Sequence, residues 1–347
     1  MTKNIETVKI GVVGAGSWGT ALAHLLAGKG LNPMLWAYEA ELCDQIGENR
    51  ENRLYLPGVK LAPGIAVSTD LATVVSEKDI VLMVVPSHLM RSVSDQMKGC
   101  LAEETIVVTA SKGIENKTHL TMSGVLAETL PSVDPDYLAA ISGPSFAREV
   151  ATDIPTAVTV AAREAETGRF LQQVFSAPVF RVYTHNDIIG VELGGALKNV
   201  IALASGIIDG LGLGLNTRAA MITRGLAEIR RAGIALGADP HTFSGLAGVG
   251  DLLLTCTGNL SRNYTVGKKL GQGMTIDEIL SEMRMVAEGV KTAKSVYNLS
   301  RKLGVEMPIC NEVHAVIYEG VSARDAVFRL MTRSLKDELD QEVKNPY

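Results

Sequence analysis

Short apolar runs rich in β-branched residues alternate with longer amphipathic stretches through the first half of the chain. This alternation is typical of a parallel sheet covered by helices. We therefore predict an α/β arrangement for this half. The predicted strands cover residues 9–13, 34–37, 80–84, 105–109, 137–141, 156–160 and 179–183, and the helices between them include 17–29, 88–98, 118–129 and 164–175.

A glycine-rich turn joins the first predicted strand to the first predicted helix, in the segment Gly14-Ala15-Gly16-Ser17-Trp18-Gly19. In such a segment the first glycine permits a tight turn, the second lets a pyrophosphate approach the backbone, and the third lets the helix pack closely on the strand. Free N–H groups at the helix start also face an anion. We interpret the turn as a dinucleotide site; a glycine-rich turn without a ligand is the alternative.

The second half of the chain follows a different pattern. Beyond residue 186 the β-rich runs stop, and long helical patterns cover residues 191–208, 217–236, 287–303 and 308–318. The sequence therefore predicts two domains: an α/β N-terminal domain with a Rossmann-like, doubly wound sheet over residues 1–186, and an all-α C-terminal domain over residues 187–347. Because ligands of open α/β sheets lie beyond the carboxyl ends of the strands, we expect the helical domain to close over that edge and hold the substrate.

Composition narrows the classes of partner. Hydrophobic residues make up 46% of the 347 residues, and 33 basic side chains against 38 acidic ones leave a formal charge of −5. This balance favours neither nucleic acid nor an anionic membrane as a partner. The apolar segment 193–208 is short for a membrane span and contains Lys198, so we predict a buried helix and no membrane insertion.

Cysteine and histidine usage indicates the compartment and the metal content. The four cysteines, Cys43, Cys100, Cys256 and Cys310, lie far apart, and no secretory pattern opens the chain. We therefore expect buried, reduced thiols in the cytoplasm. The six histidines show no metal-ligand spacing, so no metal site is predicted.

Two isolated charges stand in apolar segments of the second half. Lys198 is the only formal charge in the segment 193–208. Burial lowers the pKa of a lysine toward neutrality, as a general acid/base requires, whereas a lysine that reaches solvent is the alternative. Asp251 is the only ionisable side chain besides Cys256 in the segment 242–261. We expect it to contact Lys198; a helix N-cap is the alternative.

Three further groups sit where a ligand can reach them. Lys112 follows the strand 105–109, and the loop with Gly143 and Ser145 follows the strand 137–141, so both lie at the carboxyl edge of the sheet. We expect Ser145 to cap a helix there. The alternatives are a surface lysine and a capped turn without a ligand.

The run Ser261-Arg262-Asn263 presents a hydroxyl, a guanidinium fork and an amide just after the Asp251 segment. Arginine binds oxyanions through two parallel hydrogen bonds, and serine and asparagine add neutral donors. The run therefore favours a phosphate site, with solvated surface as the alternative. Earlier in the chain, Gly194 and Gly195 predict that another element approaches the Lys198 helix closely.

Taken together, these residues resemble the NAD(P)-dependent glycerol-3-phosphate dehydrogenase family of the bacterial type. The resemblance runs from Gly11 to about Lys336. Besides the glycine turn, it rests on ordered blocks that include Val85-Pro86-Ser87-His88, Ser111-Lys112-Gly113, Ser142-Gly143-Pro144-Ser145-Phe146-Ala147, Glu192-Leu193-Gly194-Gly195-Ala196-Leu197-Lys198-Asn199-Val200, Gly250-Asp251-Leu252, Ser261-Arg262-Asn263 and Val286-Ala287-Glu288-Gly289.

The resemblance implies reversible hydride transfer between NAD(P)H and dihydroxyacetone phosphate, which yields sn-glycerol 3-phosphate for phospholipid synthesis. It implies that Lys198 is the catalytic proton donor and acceptor, and we expect a homodimer. The implied site of the small phosphorylated substrate consists of Lys112, Gly143, Ser145, Lys198, Asp251, Ser261, Arg262 and Asn263. The implied NAD(P) site consists of Gly14, Gly16, Ser17, Trp18, Gly19, Tyr38, Lys112, Ala147, Arg262, Val286 and Glu288.

One position departs from the bacterial pattern. Tyr38 stands where bacterial relatives often carry arginine or histidine, and Glu39 follows it at the spacing of a ribose-binding acid. A carboxylate at this place repels a 2′-phosphate, although Arg50 or Arg53 could fold toward it. The preference between NAD and NADP is therefore left open by the sequence.

Two other functions compete with this interpretation. A related dehydrogenase of the 6-phosphogluconate or 3-hydroxyacid type also joins such a nucleotide fold to a helical half with a catalytic lysine. A non-catalytic nucleotide sensor would use the same fold and would not need Lys198.

Overall fold

The computed structural model describes residues 4–283 and 287–338. Within these ranges one sheet has the order β3-β2-β1-β4-β5-β6-β7-β8, and each neighbouring pair is parallel apart from β6 and β7. The doubly wound sheet predicted for the first half is confirmed. Its strands are Ile10–Val13 (β1), Met34–Trp36 (β2), Ala66–Ser68 (β3), Ile80–Met83 (β4), Ile106–Thr109 (β5), Leu138–Ser142 (β6), Thr156–Ala162 (β7) and Phe180–His185 (β8).

Helices cover both faces of this sheet. Because successive side chains of a strand point to opposite faces, Val12 and Leu82 join one apolar core and Val13 and Met83 join the other. Strands buried on both faces explain the near-continuous apolar runs of the sequence. The helices are Ser17–Gly28 (α1), Ala40–Asn49 (α2), Leu71–Val75 (α3), Met90–Asp95 (α4), Met122–Thr129 (α5), Ala147–Ala151 (α6) and Ala165–Phe175 (α7).

Some elements of this half escape the sequence prediction. The strand β3 has three residues and α3 has five, which is too short for a period to register. Helix α2 is longer, but it buries just Leu42 and Ile46, so its apolar stripe is narrow. Of these elements, β3 extends the sheet beyond β2.

The sheet also contains one reversal that the apolar pattern does not predict. The strands β6 and β7 pair antiparallel, with Ile141 opposite Val160. The helix α6 between them has five residues, a length of about 7.5 Å. A parallel partner of β6 would have to start at the other end of β6, and this helix is too short to carry the chain back there. The strand β7 therefore runs back along β6 in the antiparallel direction.

The described part of the second half is helical, as predicted. Its central helix is Ile188–Gly210 (α8), which is long and apolar enough to cross a membrane, but 94% of its apolar window is buried inside the molecule. It is therefore the core helix that the sequence predicts. The other helices are Gly214–Ala235 (α9), Asp251–Thr257 (α10), Arg262–Gly271 (α11), Ile276–Ser281 (α12), Glu288–Leu303 (α13), Pro308–Tyr318 (α14) and Ala323–Met331 (α15).

The four cysteines are free thiols, as expected. Cys256 and Cys310 are buried, but Cys43 and Cys100 are half-buried, so the expectation of burial was wrong for these two. Cys43 lies in α2 outside its narrow buried stripe of Leu42 and Ile46, and Cys100 lies in the turn that follows α4.

Candidate active site

The glycine turn between β1 and α1 is built as the sequence predicts. Gly14 has a φ of +119°, and a Cβ there would lie 2.7 Å from the carbonyl oxygen of Val84. A Cβ on Gly19 would collide with the carbonyl of Gly14, so this glycine lets α1 pack on the turn. A Cβ on Gly16 would meet nothing within 4 Å. The space above Gly16, next to the free N–H groups at the start of α1, fits a pyrophosphate.

Two glycines of α8 let neighbouring segments reach the helix. A Cβ on Gly194 would collide with the carbonyl of Ala247, in the π-helical turn Leu246–Gly250 that leads into α10. A Cβ on Gly195 would collide with Ser142 and touch the stem of Lys112. The close approach predicted from these glycines is confirmed, and it brings α10 and the sheet edge to the same side of α8.

Lys112, Lys198 and Asp251 meet at this point. The Nζ atoms of both lysines donate to Asp251, that of Lys198 to Oδ1 and that of Lys112 to Oδ2 at 2.6 Å. The side chain of Asp251 is 1% exposed, that of Lys198 8% and that of Lys112 17%. The predicted contact between Lys198 and Asp251 is confirmed. Asp251 is the first residue of α10 and Gly250 its N-cap, so the N-cap alternative is wrong.

Burial sets the protonation chemistry of this cluster. Desolvation lowers the pKa of Lys198 to about 8, with the charge of Lys112 acting in the same direction and that of Asp251 opposing it. An amine with this pKa exchanges protons near neutral pH. Because two ammonium groups share one carboxylate, the cluster carries a net positive charge when both lysines are protonated, and it suits an electron-rich oxygen.

The turn after β6 lies beside the cluster. The carbonyl oxygen of Gly143 accepts from Lys112 Nζ at 3.2 Å and from Ser145 Oγ at 3.0 Å. Phe146, not Ser145, is the N-cap of α6, so the predicted capping role was wrong. The hydroxyl of Ser145 turns back to Gly143 instead, because the helix begins one residue later than the sequence suggested.

The run at the start of α11 divides between buried and exposed positions. Ser261 is buried and is the N-cap, and its Oγ accepts from the N–H of Tyr264 at 3.2 Å. Asn263 is also buried, and its side chain donates to Asn199 at 3.0 Å and accepts from the N–H of Gly289 at 2.9 Å. Arg262 is exposed between them. The helix N-terminus and the guanidinium together suit an anion.

The remaining residues of the expected cofactor site spread along the sheet edge. Glu288 opens α13 and accepts from the N–H of Ser87 at 3.3 Å, and burial raises its pKa. Trp18 and Ala147 are half-buried and pack against the apolar core that contains Val12 and Leu82. Tyr38 is 79% exposed. Ser17 Oγ donates to the carbonyl of Tyr55 at 2.6 Å, and Val286 lies outside the described residues.

The structure adds two polar residues that the sequence analysis did not single out. Thr255 Oγ1 accepts from Lys198 Nζ at 2.7 Å, and Asn199 accepts from Asn263. Thr255 lies one helical turn after Asp251, and this spacing of four residues was the available signal. Asn199 offered none, because its partner is distant in sequence.

A doubly wound sheet with an open glycine turn, facing a helical half with a buried lysine–aspartate pair, defines a nicotinamide-dependent dehydrogenase. Comparison with family models agrees: residues 9–168 match the N-terminus, and residues 187–328 the C-terminus, of NAD-dependent glycerol-3-phosphate dehydrogenase. The chain belongs to the NAD-dependent glycerol-3-phosphate dehydrogenase family.

Individual relatives are similar over nearly the whole chain. A glycerol-3-phosphate dehydrogenase (NAD(P)+) of Citrifermentans bemidjiense is 58% identical over 330 residues, which are 95% of this chain and 98% of the relative. The crystal structure of glycerol-3-phosphate dehydrogenase from Coxiella burnetii is 39% identical with a TM-score of 0.90, and the match covers 94% of this chain and 100% of that one. The yeast enzyme from Saccharomyces cerevisiae is 29% identical, with a TM-score of 0.80 and coverage of 92% and 98%.

Proposed function

We propose that this chain catalyses reversible hydride transfer between NAD(P)H and dihydroxyacetone phosphate, with sn-glycerol 3-phosphate as the reduced product for phospholipid synthesis. The buried cluster of Lys198, Asp251 and Lys112 carries this proposal. Interconversion of a ketone and an alcohol needs one group that both gives and takes a proton at the same oxygen. A lysine whose pKa is about 8 meets that need near neutral pH.

The residues around the glycine turn fit the cofactor. Gly16 leaves open space beside the start of α1, and no side chain caps that helix, so its N–H groups are available to a pyrophosphate. When bound, the nicotinamide supplies or accepts the hydride. Glu288 and Ser87 lie where the helical half meets the sheet, and we place them at the rim of this site.

Lys198 donates and accepts the proton at the C2 oxygen of the substrate. In the direction of reduction its ammonium donates a hydrogen bond to the carbonyl oxygen at C2, and its proton moves to that oxygen as negative charge develops there. In the direction of oxidation the neutral amine accepts the proton of the C2 hydroxyl. Asp251 and Thr255 hold Nζ in place through the contacts described above. Lys112 adds positive charge beside the same oxygen.

The start of α11 binds the phosphate in this proposal. Arg262 supplies a guanidinium at the rim, and Asn263 presents an amide that its contacts with Asn199 and Gly289 orient. Charge-assisted hydrogen bonds of this kind contribute about 1.5–3 kcal/mol each. Gly143 and Ser145, which lie beside Lys112, complete the substrate site in this proposal.

We also propose the domain bounds, the compartment and the oligomeric state of this protein. Residues 1–186 form the nucleotide-binding domain and residues 187–347 the helical domain, since the described strands end with β8 at His185. We expect the enzyme to act in the cytoplasm as a homodimer, on the strength of the family resemblance.

Replacing Lys198 with methionine tests the proposal. We expect kcat for dihydroxyacetone phosphate to fall at least ~100-fold, while NADH still binds. Lys302→Met removes an exposed lysine of α13 and serves as the matched control. Unchanged turnover in Lys198→Met would refute the acid/base role of Lys198, whereas binding of NADH without any turnover in the unmodified protein would favour a nucleotide sensor. Activity of the unmodified protein with 6-phosphogluconate or a 3-hydroxyacid, and none with dihydroxyacetone phosphate, would overturn the substrate assignment.

A further inference from the structure

Glu192 is a buried carboxylate on α8 that the proposed reaction does not use. Its side chain reaches the start of α5, where Oε1 accepts from the N–H of Ser123 at 2.8 Å and Oε2 accepts from the hydroxyl of the same serine. The residue is 6% exposed, and burial raises the pKa of its carboxyl while the hydrogen bonds from Ser123 oppose that change. A buried carboxylate is costly unless donors satisfy it, so this contact fastens α5 to α8.

The segment that Glu192 holds leads back to Lys112. This segment folds back on itself, because Ile114 forms an antiparallel bridge with Thr121. Ile114 follows Lys112 by two residues, and Ser123 follows Thr121 by two. The bridge therefore links the contact of Glu192 to Lys112 by a short path.

Two further contacts fasten the same segment to the helical half. Ile114 is 4% exposed and packs in the apolar core of that half, together with Leu193 of α8. The hydroxyl of Ser295 on α13 lies 3.1 Å from the carbonyl oxygen of Ile114 and 2.7 Å from Asn116 Oδ1. The segment after Lys112 thus belongs by chain to the first half, but side chains of the second half fix its position.

Glu192 and Lys198 lie on the same helix. They are six residues apart, which corresponds to about 9 Å along the axis of α8. Lys198 contacts Asp251, and Glu192 contacts the segment that follows Lys112. One helix therefore sets where both lysines lie relative to the carboxylate that they share.

We infer that Glu192 is a positioning residue, which fastens the segment after β5 to α8 and thereby holds Lys112 Nζ against Asp251. This inference rests on the proposed function and deepens it, because it adds a residue to the machinery of the same site. Lys112 donates to Asp251 at 2.6 Å, and the charge of Lys112 lowers the pKa of Lys198. Without Glu192 the segment loosens, Lys112 moves away from Lys198, and the pKa of Lys198 rises.

Replacing Glu192 with alanine tests the inference. We expect kcat/KM for dihydroxyacetone phosphate to fall about 10- to 100-fold, because Lys112 is displaced. The inflection of reduction near pH 8 should move at least about half a pH unit toward alkaline pH. Competitive labelling of the lysine amines at each pH, followed by mass spectrometry, gives the titration midpoint of Lys198 without turnover. Cys256 and Glu288, which also sense the charge of Lys198, stay in place in this variant.

Two control variants separate positioning from stability. Glu192→Gln keeps an oxygen that accepts from the N–H of Ser123, so the midpoint of Lys198 should stay near that of the unmodified protein. Glu228→Ala removes another buried carboxylate, which accepts from the N–H groups of Ile309 and Cys310 at the start of α14, outside the site. It should lower the melting temperature without moving the midpoint of Lys198.

An unchanged midpoint in folded Glu192→Ala, or an equal shift in Glu228→Ala, overturns the inference. If Glu192→Ala does not fold, Ser123→Ala takes its place, because it removes the hydroxyl partner alone. Its midpoint should shift in the same direction by a smaller amount, and no shift overturns the inference. If the unmodified protein does not reduce dihydroxyacetone phosphate, the proposed function fails, while the labelling still decides whether Glu192 positions Lys112.

Discussion

Replacing Asp251 with asparagine should move the protonation of Lys198 toward acid. The variant keeps the shape of a fully buried side chain but removes the negative charge that two ammonium groups share. At an effective dielectric constant of about 20, a unit charge about 4 Å away is worth about 4 kcal/mol. Rearrangement of the remaining groups offsets part of this energy. Since about 1.4 kcal/mol moves a pKa by one pH unit, even a third of the energy of the removed charge would move the pKa of Lys198 measurably.

The assay is the pH dependence of kcat in both directions. Burial lowers the pKa of Lys198 to about 8, so reduction, which needs the ammonium, should slow as the pH rises through about 8. Oxidation, which needs the neutral amine, should accelerate over the same range. In Asp251→Asn both inflections should move at least about one pH unit toward acid.

A matched control separates this local effect from a general change of charge. Asp209→Asn removes a carboxylate from the end of α8, where it pairs with Lys268 at 2.9 Å outside the site. Its inflections should stay near those of the unmodified enzyme. An unchanged or alkaline-shifted inflection in a folded Asp251→Asn variant would refute the assignment of Lys198 as the titrating group.

Four other substitutions test three separate parts of the molecule. Arg262→Ala should raise KM for dihydroxyacetone phosphate about 10- to 100-fold with a smaller change in kcat, and an effect limited to NADH binding would contradict phosphate recognition. Gly16→Ala should melt like the unmodified protein but bind NADH weakly, whereas Gly19→Ala should melt at lower temperature because its Cβ collides with Gly14; the reverse result would refute the assigned roles. Burial raises the pKa of Glu228 from 4.5 to about 7, so the stability due to its protonated form is complete below pH 4.5 and lost as the pH rises through 7. The free energy of unfolding of Glu228→Gln, measured by denaturant titration, should therefore rise by up to about 3 kcal/mol relative to that of the unmodified protein between pH 4.5 and about 7. A difference in unfolding free energy that stays constant over this range would exclude a coupling between protonation of Glu228 and folding.

Local sequence patterns predicted much of the nucleotide-binding half. A strand, three spaced glycines and a helix were identified together, because each glycine answers a backbone requirement within a few residues. The isolation of Lys198 and Asp251 in apolar segments predicted the contact between them, because buried charges need partners. Helix α2 escaped prediction, since two buried side chains make too narrow a stripe.

The surroundings of the candidate site depended on contacts that are distant in sequence. The hydroxyl of Ser145 looked like a helix cap, but it bonds to Gly143 because α6 begins later. Asn199 meets Asn263 only after α8 and α11 pack together. Such pairings arise from the packing of whole helices, and no local period records them.

The sequence by itself determined most of the strands and helices, though not β3, α2 and α3, as well as where a phosphate can approach bare backbone and which charges must find partners on burial. Only the tertiary structure decided that Lys112 joins Lys198 on the single carboxylate of Asp251, and that Glu192 contacts Ser123 at the start of α5. The reason is physical. Periodicity and backbone freedom act over a few residues, whereas the identity of a buried partner depends on how complete elements pack against each other.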